Sequence, residues 1–312
     1  MKNLQIGIDL GGTFIKGGII SDSGEMLVKG EIPTEVDKGE QQVAQNISNL
    51  CEMLIKDAKV LKEQIKGIGI GAPGMIDSKS GVVIFANNLG FNYTPLADLV
   101  KNKTSLPVKI TNDANAAALG EATFGAGKKF SSSIFVTLGT GVGGGIVIDN
   151  KLFEGTKSAG AEIGHMVICA GGEPCTCGLK GCFEAYSSAT ALIRDTKRAM
   201  MANKDSLMWE VGIDNVNGKT PFDYADKDQS AKAVVDNYIK MLSLGLINLA
   251  NIFRPEALII GGGVSRQPGI DKPLYELVNA QKYAGTKGPE VKVLIASLKN
   301  DAGTFGAAAL WI

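Results

Sequence analysis

Residues 6–20, IGIDLGGTFIKGGII, decide the fold. Leu4 to Leu10 reads as a buried strand that runs into Gly11, Gly12 and Thr13, and Ile15 to Ile20 reads as a second strand. Asp22-Ser23-Gly24 then turns the chain into a third strand from Met26 to Glu31. A dinucleotide fingerprint needs a helix directly after its glycine turn, and none follows here. Residues 135–148, FVTLGTGVGGGIVI, repeat the strand, glycine corner and strand, so two halves built on one plan are expected. No Gly-Lys-Ser/Thr ending is present, which excludes the common P-loop.

Working outward, Glu40 to Leu61 has apolar Val43, Ile47, Leu50, Leu54 and Ala58 at helical spacing. Strands are expected at Ile65 to Gly71 and Val108 to Thr111, with a helix from Ala114 to Phe124. Ser133 to Leu138 is another strand, and residues 203–229 read as helix ends and loop. Ala231 to Ile252 is a long amphipathic helix that Arg254-Pro255 stops. Ala257 to Ile260 and Val291 to Ala296 read as strands, and Gly303 to Leu310 as a small-residue helix. Three glycine corners after three strands give an α/β plan with ligands at strand ends. A first domain is expected to end near residue 115.

Glycine makes up 40 of 312 residues, above the usual roughly 7%, and its clusters follow strands, where backbone approaches a ligand. Lys plus Arg and Asp plus Glu both number 32, so net charge gives no reason to expect nucleic acid or an anionic membrane as partner. No run of 18 apolar residues reads as a membrane span. The opening MKNLQIGIDLGG lacks the apolar block of a secretory signal, and five cysteines, four of them within fourteen positions, fit a reduced compartment. A cytoplasmic protein is expected.

The corners carry the chemistry. Backbone N–H groups of Gly11 and Gly12 can face phosphate oxygens, Thr13 adds a hydroxyl, Lys16 a cation, and Asp9 suits Mg²⁺ or its water shell. Gly139, Thr140, Gly141 and Gly143 form a second corner, and Gly261, Gly262 and Gly263 a third suited to adenine and ribose. Asp113 follows a strand and opens a helix in Thr111-Asn112-Asp113-Ala114-Asn115. It fits an N-cap as well as it fits the base that phosphoryl transfer to an alcohol requires. Asn87-Asn88-Leu89-Gly90-Phe91, Glu162, His165 and Glu184 offer donors and acceptors for sugar hydroxyls. His165, the only histidine, with Cys175, Cys177 and Cys182 makes a ligand set suited to structural zinc. Cys169 lies in an apolar string and reads as an inert thiol.

These motifs resemble the ROK family of bacterial repressors, open reading frames and kinases, and within it the glucokinases. The matching strings are IDLGGTFIKG, Asn88-Leu89-Gly90, ITNDANAAALGE around Asp113, TLGTGVGGGI, GAEIGHM, CTCGLKGCFEAYSS and the Gly261 corner. The resemblance implies an actin-like ATPase (ribonuclease H-like) fold of two α/β domains that close a cleft over hexose and ATP-Mg²⁺. Residues 1–115 with about 298–312 would form the N-terminal domain, and 116–297 the larger, zinc-carrying one. It implies Asp113 as catalytic base, Asn88, Asn112, Glu162, His165 and Glu184 as sugar contacts, and His165, Cys175, Cys177 and Cys182 as zinc ligands. A homodimer is also implied, with the last helix packed on the first domain. Repressor members carry an N-terminal helix-turn-helix, for which no room is expected before Gly11. Two positions depart from the family pattern, Asn87 standing for a common Pro and Phe91 for Trp. The implied activity is glucose phosphorylation at the 6-hydroxyl. Kinases of N-acetylmannosamine, N-acetylglucosamine, fructose or allose are alternatives, and a non-catalytic sugar-binding regulator is a more distant one.

Overall fold

The computed structural model describes residues 3–312, so the expected start of the first domain at residue 1 lies outside the described residues. Leu4–Leu10 (β1), Phe14–Ser21 (β2) and Met26–Pro33 (β3) form an antiparallel meander. Helix Glu40–Asp57 (α1) stops short of Leu61, because Lys59 takes a positive φ of 54°. Ile65–Ala72 (β4) is followed by a small antiparallel sheet of Met75–Asp77 (β5), Val82–Ala86 (β6) and Phe91–Thr94 (β7). Leu96–Thr104 (α2), Val108–Asn112 (β8) and Asp113–Thr123 (α3) come next. Ser133–Leu138 (β9), Val142–Ile148 (β10) and Lys151–Phe153 (β11) open the second half. Helices Glu184–Ser187 (α4), Ala189–Ala202 (α5), Thr220–Tyr224 (α6) and Gln229–Phe253 (α7) follow. Ala257–Gly261 (β12), Asp271–Gln281 (α8), Lys292–Ile295 (β13) and Ala302–Ala309 (α9) complete the chain.

The two large sheets share one strand order, β3-β2-β1-β4-β8 and β11-β10-β9-β12-β13. In each, the last pairs are parallel, and the central strands are apolar on both faces, as sheets covered on both sides require. The repeat hinted at by the glycine strings is therefore a repeat of topology.

Contacts divide the chain into two compact units. The first runs to Ser132 and includes Gly145–Ala161 and Ser297–Ile312; the second is Ser133–Gly144 with Glu162–Ala296. The division falls after α3, later than the break expected near residue 115. The reason lies in small residues: Ala116 and Gly120 of α3 meet Gly306 and Ala302 of α9 at backbone distance, too close for any side chain at Gly306. Glu121, fully buried, completes the joint. Its carboxyl oxygens accept hydrogen bonds from the N–H groups of Ala126 (2.8 Å), Ser297 (3.1 Å) and Leu298 (2.7 Å), which satisfies polar atoms that would be costly to bury alone.

In the second unit α7 buries Tyr238, Leu242 and Leu246 and leaves Gly245 for the ring of Phe183. Asp228 caps it, accepting from Ser230 N–H and Ala231 N–H. The stretch read as loop before it holds short 3-10 turns and α6. Among the described residues no helix is long and apolar enough to cross a membrane.

Candidate active site and metal centre

In the first unit, β1 delivers Asp9 opposite Lys16 of β2. The turn between them is closed by Gly11 N–H to Phe14 O (3.0 Å) and held by Thr34, whose hydroxyl donates to Gly11 O (2.7 Å) and whose N–H donates to Thr13 O (2.9 Å). Thr13 is exposed. Gly12 lies against the sugar-loop candidate: a Cβ there would sit 3.2 Å from Asn88 O. Asn87 and Asn88 are exposed in a short 3-10 turn that Gly90 ends with φ 64°. Phe91 points the other way, 3% exposed within the core, so the departure from Trp at this position is a packing change.

Asp113 reads equally well as a helix cap, but in the structure its neighbour fills that position. The cap of α3 is Asn112, whose Oδ1 accepts from the N–H groups of Ala114 and Asn115, a contact worth about 1 kcal/mol. The Asn112 Nδ2 donates to Gly74 O at 3.1 Å, so both ends of this expected sugar contact are engaged. Asp113 accepts from Ala114 N–H at 2.8 Å, and although the residue as a whole reaches solvent, its carboxylate is surrounded by enough protein to be desolvated. Desolvation raises its pKa above the ordinary carboxylate value, against the lowering effect of hydrogen bonds from Ala114 and Asn112. The pKa of Asp9 is raised too, by burial first and then by the charge of Asp113, with Lys16 acting in the opposite sense. Two carboxylates that repel each other beside one lysine make a site suited to a divalent cation.

Sequence reasoning missed Glu154. It accepts from the hydroxyls of Thr111 (2.8 Å) and Ser78 (2.7 Å), which ties the end of β8, one residue before Asn112, to the turn after β5. Nothing in its sequence neighbourhood marks it, because both partners are distant in the chain.

In the second unit the corners after β9 and β12 are neighbours. Gly262 has φ 82°, and any side chain there would strike the backbone of Leu138. Ser265 Oγ donates to Gly262 O at 2.8 Å, while Gly263 is exposed with open space around it. Both corners thus lie at the carboxyl ends of adjacent parallel strands, the usual ligand position in such sheets. Gly143 lies inside β10 and outside the turn. Glu162 is exposed, one turn before half-buried His165.

His165, Cys175, Cys177 and Cys182 bring their ligand atoms within 4.8 Å of one another. His165 Nδ1 lies 3.6 Å from Cys175 Sγ, and Cys177 Sγ lies 3.6 Å from Cys182 Sγ. Tetrahedral zinc with Zn–S bonds of ~2.3 Å requires sulfurs about 3.8 Å apart, so the set fits. Cys169 is outside it, next to Gly172 and Tyr186. Nδ1 is the ring nitrogen that faces the sulfurs, so it is the one that would bind the metal.

The sequence profile of the ROK family matches residues 5–312. The glucokinase of Halalkalibacterium halodurans is 38% identical over 314 residues, covering 98% of this chain and 94% of that protein. The crystal structure of the ROK hexokinase from Thermus thermophilus superposes with a TM-score of 0.83 at 32% identity, over 98% of this chain and 97% of that one. A ROK family glucokinase from Streptomyces griseus, solved with glucose and AMPPNP, gives 0.79 at 35% identity, over 98% of both chains. The repeated strand order and these neighbours give the actin-like ATPase fold of two α/β domains. On a full-length match of sequence, topology and His/Cys₃ cluster, the chain belongs to the ROK family.

Proposed function

We infer that this chain is a glucokinase, transferring the γ-phosphoryl group of ATP to the 6-hydroxyl of D-glucose. The observation that carries this reading is the division of labour at α3. Asn112 caps the helix, so the neighbouring Asp113 is not needed for the cap and keeps a desolvated, more basic carboxylate. Phosphoryl transfer to an alcohol needs such an acceptor for the hydroxyl proton, and general base help is worth about 10²–10⁴-fold.

In this reading the sugar oxygen attacks the γ-phosphorus in line, its proton passes to Asp113, and ADP leaves. Asn88, Glu162, His165 and Glu184 grip the other hydroxyls, with Asn112 contributing at most its second amide hydrogen. The turns at Gly11–Thr13, Gly139–Gly141 and Gly261–Gly263 face the nucleotide with backbone N–H groups, and Lys16 adds a cation for phosphate oxygens. Asp9 would hold Mg²⁺ or its water shell, and the ion would supply neutralisation of the phosphate charge. Zinc on His165, Cys175, Cys177 and Cys182 is structural, since a closed set of four ligands leaves no position for substrate. A cytoplasmic homodimer belongs to the same reading, supported by the family and, for the compartment, by cysteines gathered on a metal cluster.

The test is a coupled ADP-release assay over a hexose panel. Glucose is expected to give the highest kcat/KM. Preference for N-acetylmannosamine, N-acetylglucosamine, fructose or allose would move the substrate, and sugar binding without ADP formation would make the protein a regulator.

A further inference from the structure

The second glycine corner is held by the helices that follow the metal loop. Glu184 Oε2 accepts from Val142 N–H at 3.0 Å. Ala189 N–H donates to Gly139 O, and the Thr190 hydroxyl donates to Thr140 O, both at 2.8 Å. Gly139 N–H closes the turn on Gly141 O at 3.0 Å. Glu184 Oε2 lies so close to Gly141 that a Cβ there would press on the carboxylate. The Thr140 and Gly141 N–H groups stand outside this set of bonds and are the ones a phosphate would use. The other oxygen, Glu184 Oε1, faces the metal loop: it accepts from the Thr176 hydroxyl at 3.1 Å and lies 3.7 Å from Cys175 Sγ. Cys182, another member of the cluster, is two residues upstream in sequence.

We propose that Glu184 and Thr190 are positioning residues for the Gly139–Val142 turn, and that a sugar bound at Glu184 thereby tightens the turn's hold on the nucleotide phosphates. This rests on the glucokinase reading for the identity of both ligands. One carboxylate serves two neighbours, Val142 N–H through Oε2 and the metal loop through Oε1. A sugar hydroxyl donating to Oε1, beside or in place of the Thr176 hydroxyl, changes how the carboxylate is held, and with it the direction in which Oε2 meets Val142 N–H. Thr190 acts at the turn alone, since its hydroxyl contacts Thr140 O and no metal-loop residue. The two side chains therefore have separable effects: Thr190 sets the intrinsic shape of the corner, and Glu184 links it to sugar occupancy.

The experiment titrates Mg·AMPPNP into the full-length protein by calorimetry, with and without saturating glucose. For the unaltered protein glucose is expected to tighten nucleotide binding about 5-fold or more, the lower range of ordinary coupling. Thr190→Val should weaken Mg·AMPPNP about 5-fold, one lost hydrogen bond, with glucose affinity unchanged, and Thr190→Ser should restore it. Glu184→Gln should bring the glucose-dependent ratio close to one while both ligands still bind. The proposal is overturned if Thr190→Val binds nucleotide normally, if it weakens glucose equally, or if Glu184→Gln keeps the coupling. Glucose turnover in the same preparation of unaltered protein reports separately on the glucokinase reading, because the binding ratios do not depend on catalysis.

Discussion

The corners after β1 and β9 occupy the same place in two sheets of identical strand order, yet they are held differently. The first is fixed within its own meander by Thr34 and carries ionisable groups at its ends, Asp9 and Lys16. The second has no charge in the turn itself and is clamped from outside by Glu184, Ala189 and Thr190, just past the His/Cys₃ cluster. One topology has thus been elaborated twice: the first copy carries ionisable groups at the ends of its turn, and the second presents backbone held by residues just past the metal cluster. A symmetric duplication would have given two turns held in the same way. The differences lie in what surrounds each turn.

Removing charge from the first half is expected to have the largest effect. Asp113→Asn should lower kcat by roughly 10²-fold or more while glucose still binds, measured by steady-state kinetics and calorimetry on one preparation. Because desolvation raises the Asp113 pKa, the acid limb of kcat/KM in the unaltered protein should lie above the ordinary carboxylate value of 3.8. The sign follows from the role: a base works deprotonated, so activity falls as pH drops through that limb. A limb at the ordinary carboxylate value would remove desolvation from the account. Loosening the second half should cost less turnover and more affinity. Cys175→Ser is expected to take zinc from one equivalent per chain to well below it, by elemental analysis, and to raise the KM for ATP about 10-fold. Full zinc content and an unchanged KM would detach the metal loop from the corner.

Much of this contrast was legible in the sequence, for physical reasons that differ by region. Alternating and continuous apolar runs placed β1, β4, β8, β9 and β12 to within a residue or two, because buried strands leave few alternatives. The metal cluster was equally plain, since a single histidine and three closely spaced cysteines admit few arrangements. The small β5–β7 sheet was not seen: its exposed Met75, Phe85 and Tyr93 break the usual alternation. Glu154, Glu121 and Thr190 were invisible because their partners lie elsewhere in the chain, at Thr111, Ser297 and Thr140. The assignment of the α3 cap also needed coordinates, as Asn112 and Asp113 are equally good capping residues by type. The domain boundary was displaced by Ala116, Gly120 and Gly306, whose importance lies in what they allow to approach.

The most direct test is a crystal structure of the protein with glucose and Mg·AMPPNP bound together. A primary sugar hydroxyl is expected about 2.6–3.2 Å from the Asp113 carboxylate and pointing at the γ-phosphorus. A complex in which Asp113 meets no sugar hydroxyl, or in which the triphosphate lies away from the Gly11 and Gly139 turns, would contradict this expectation.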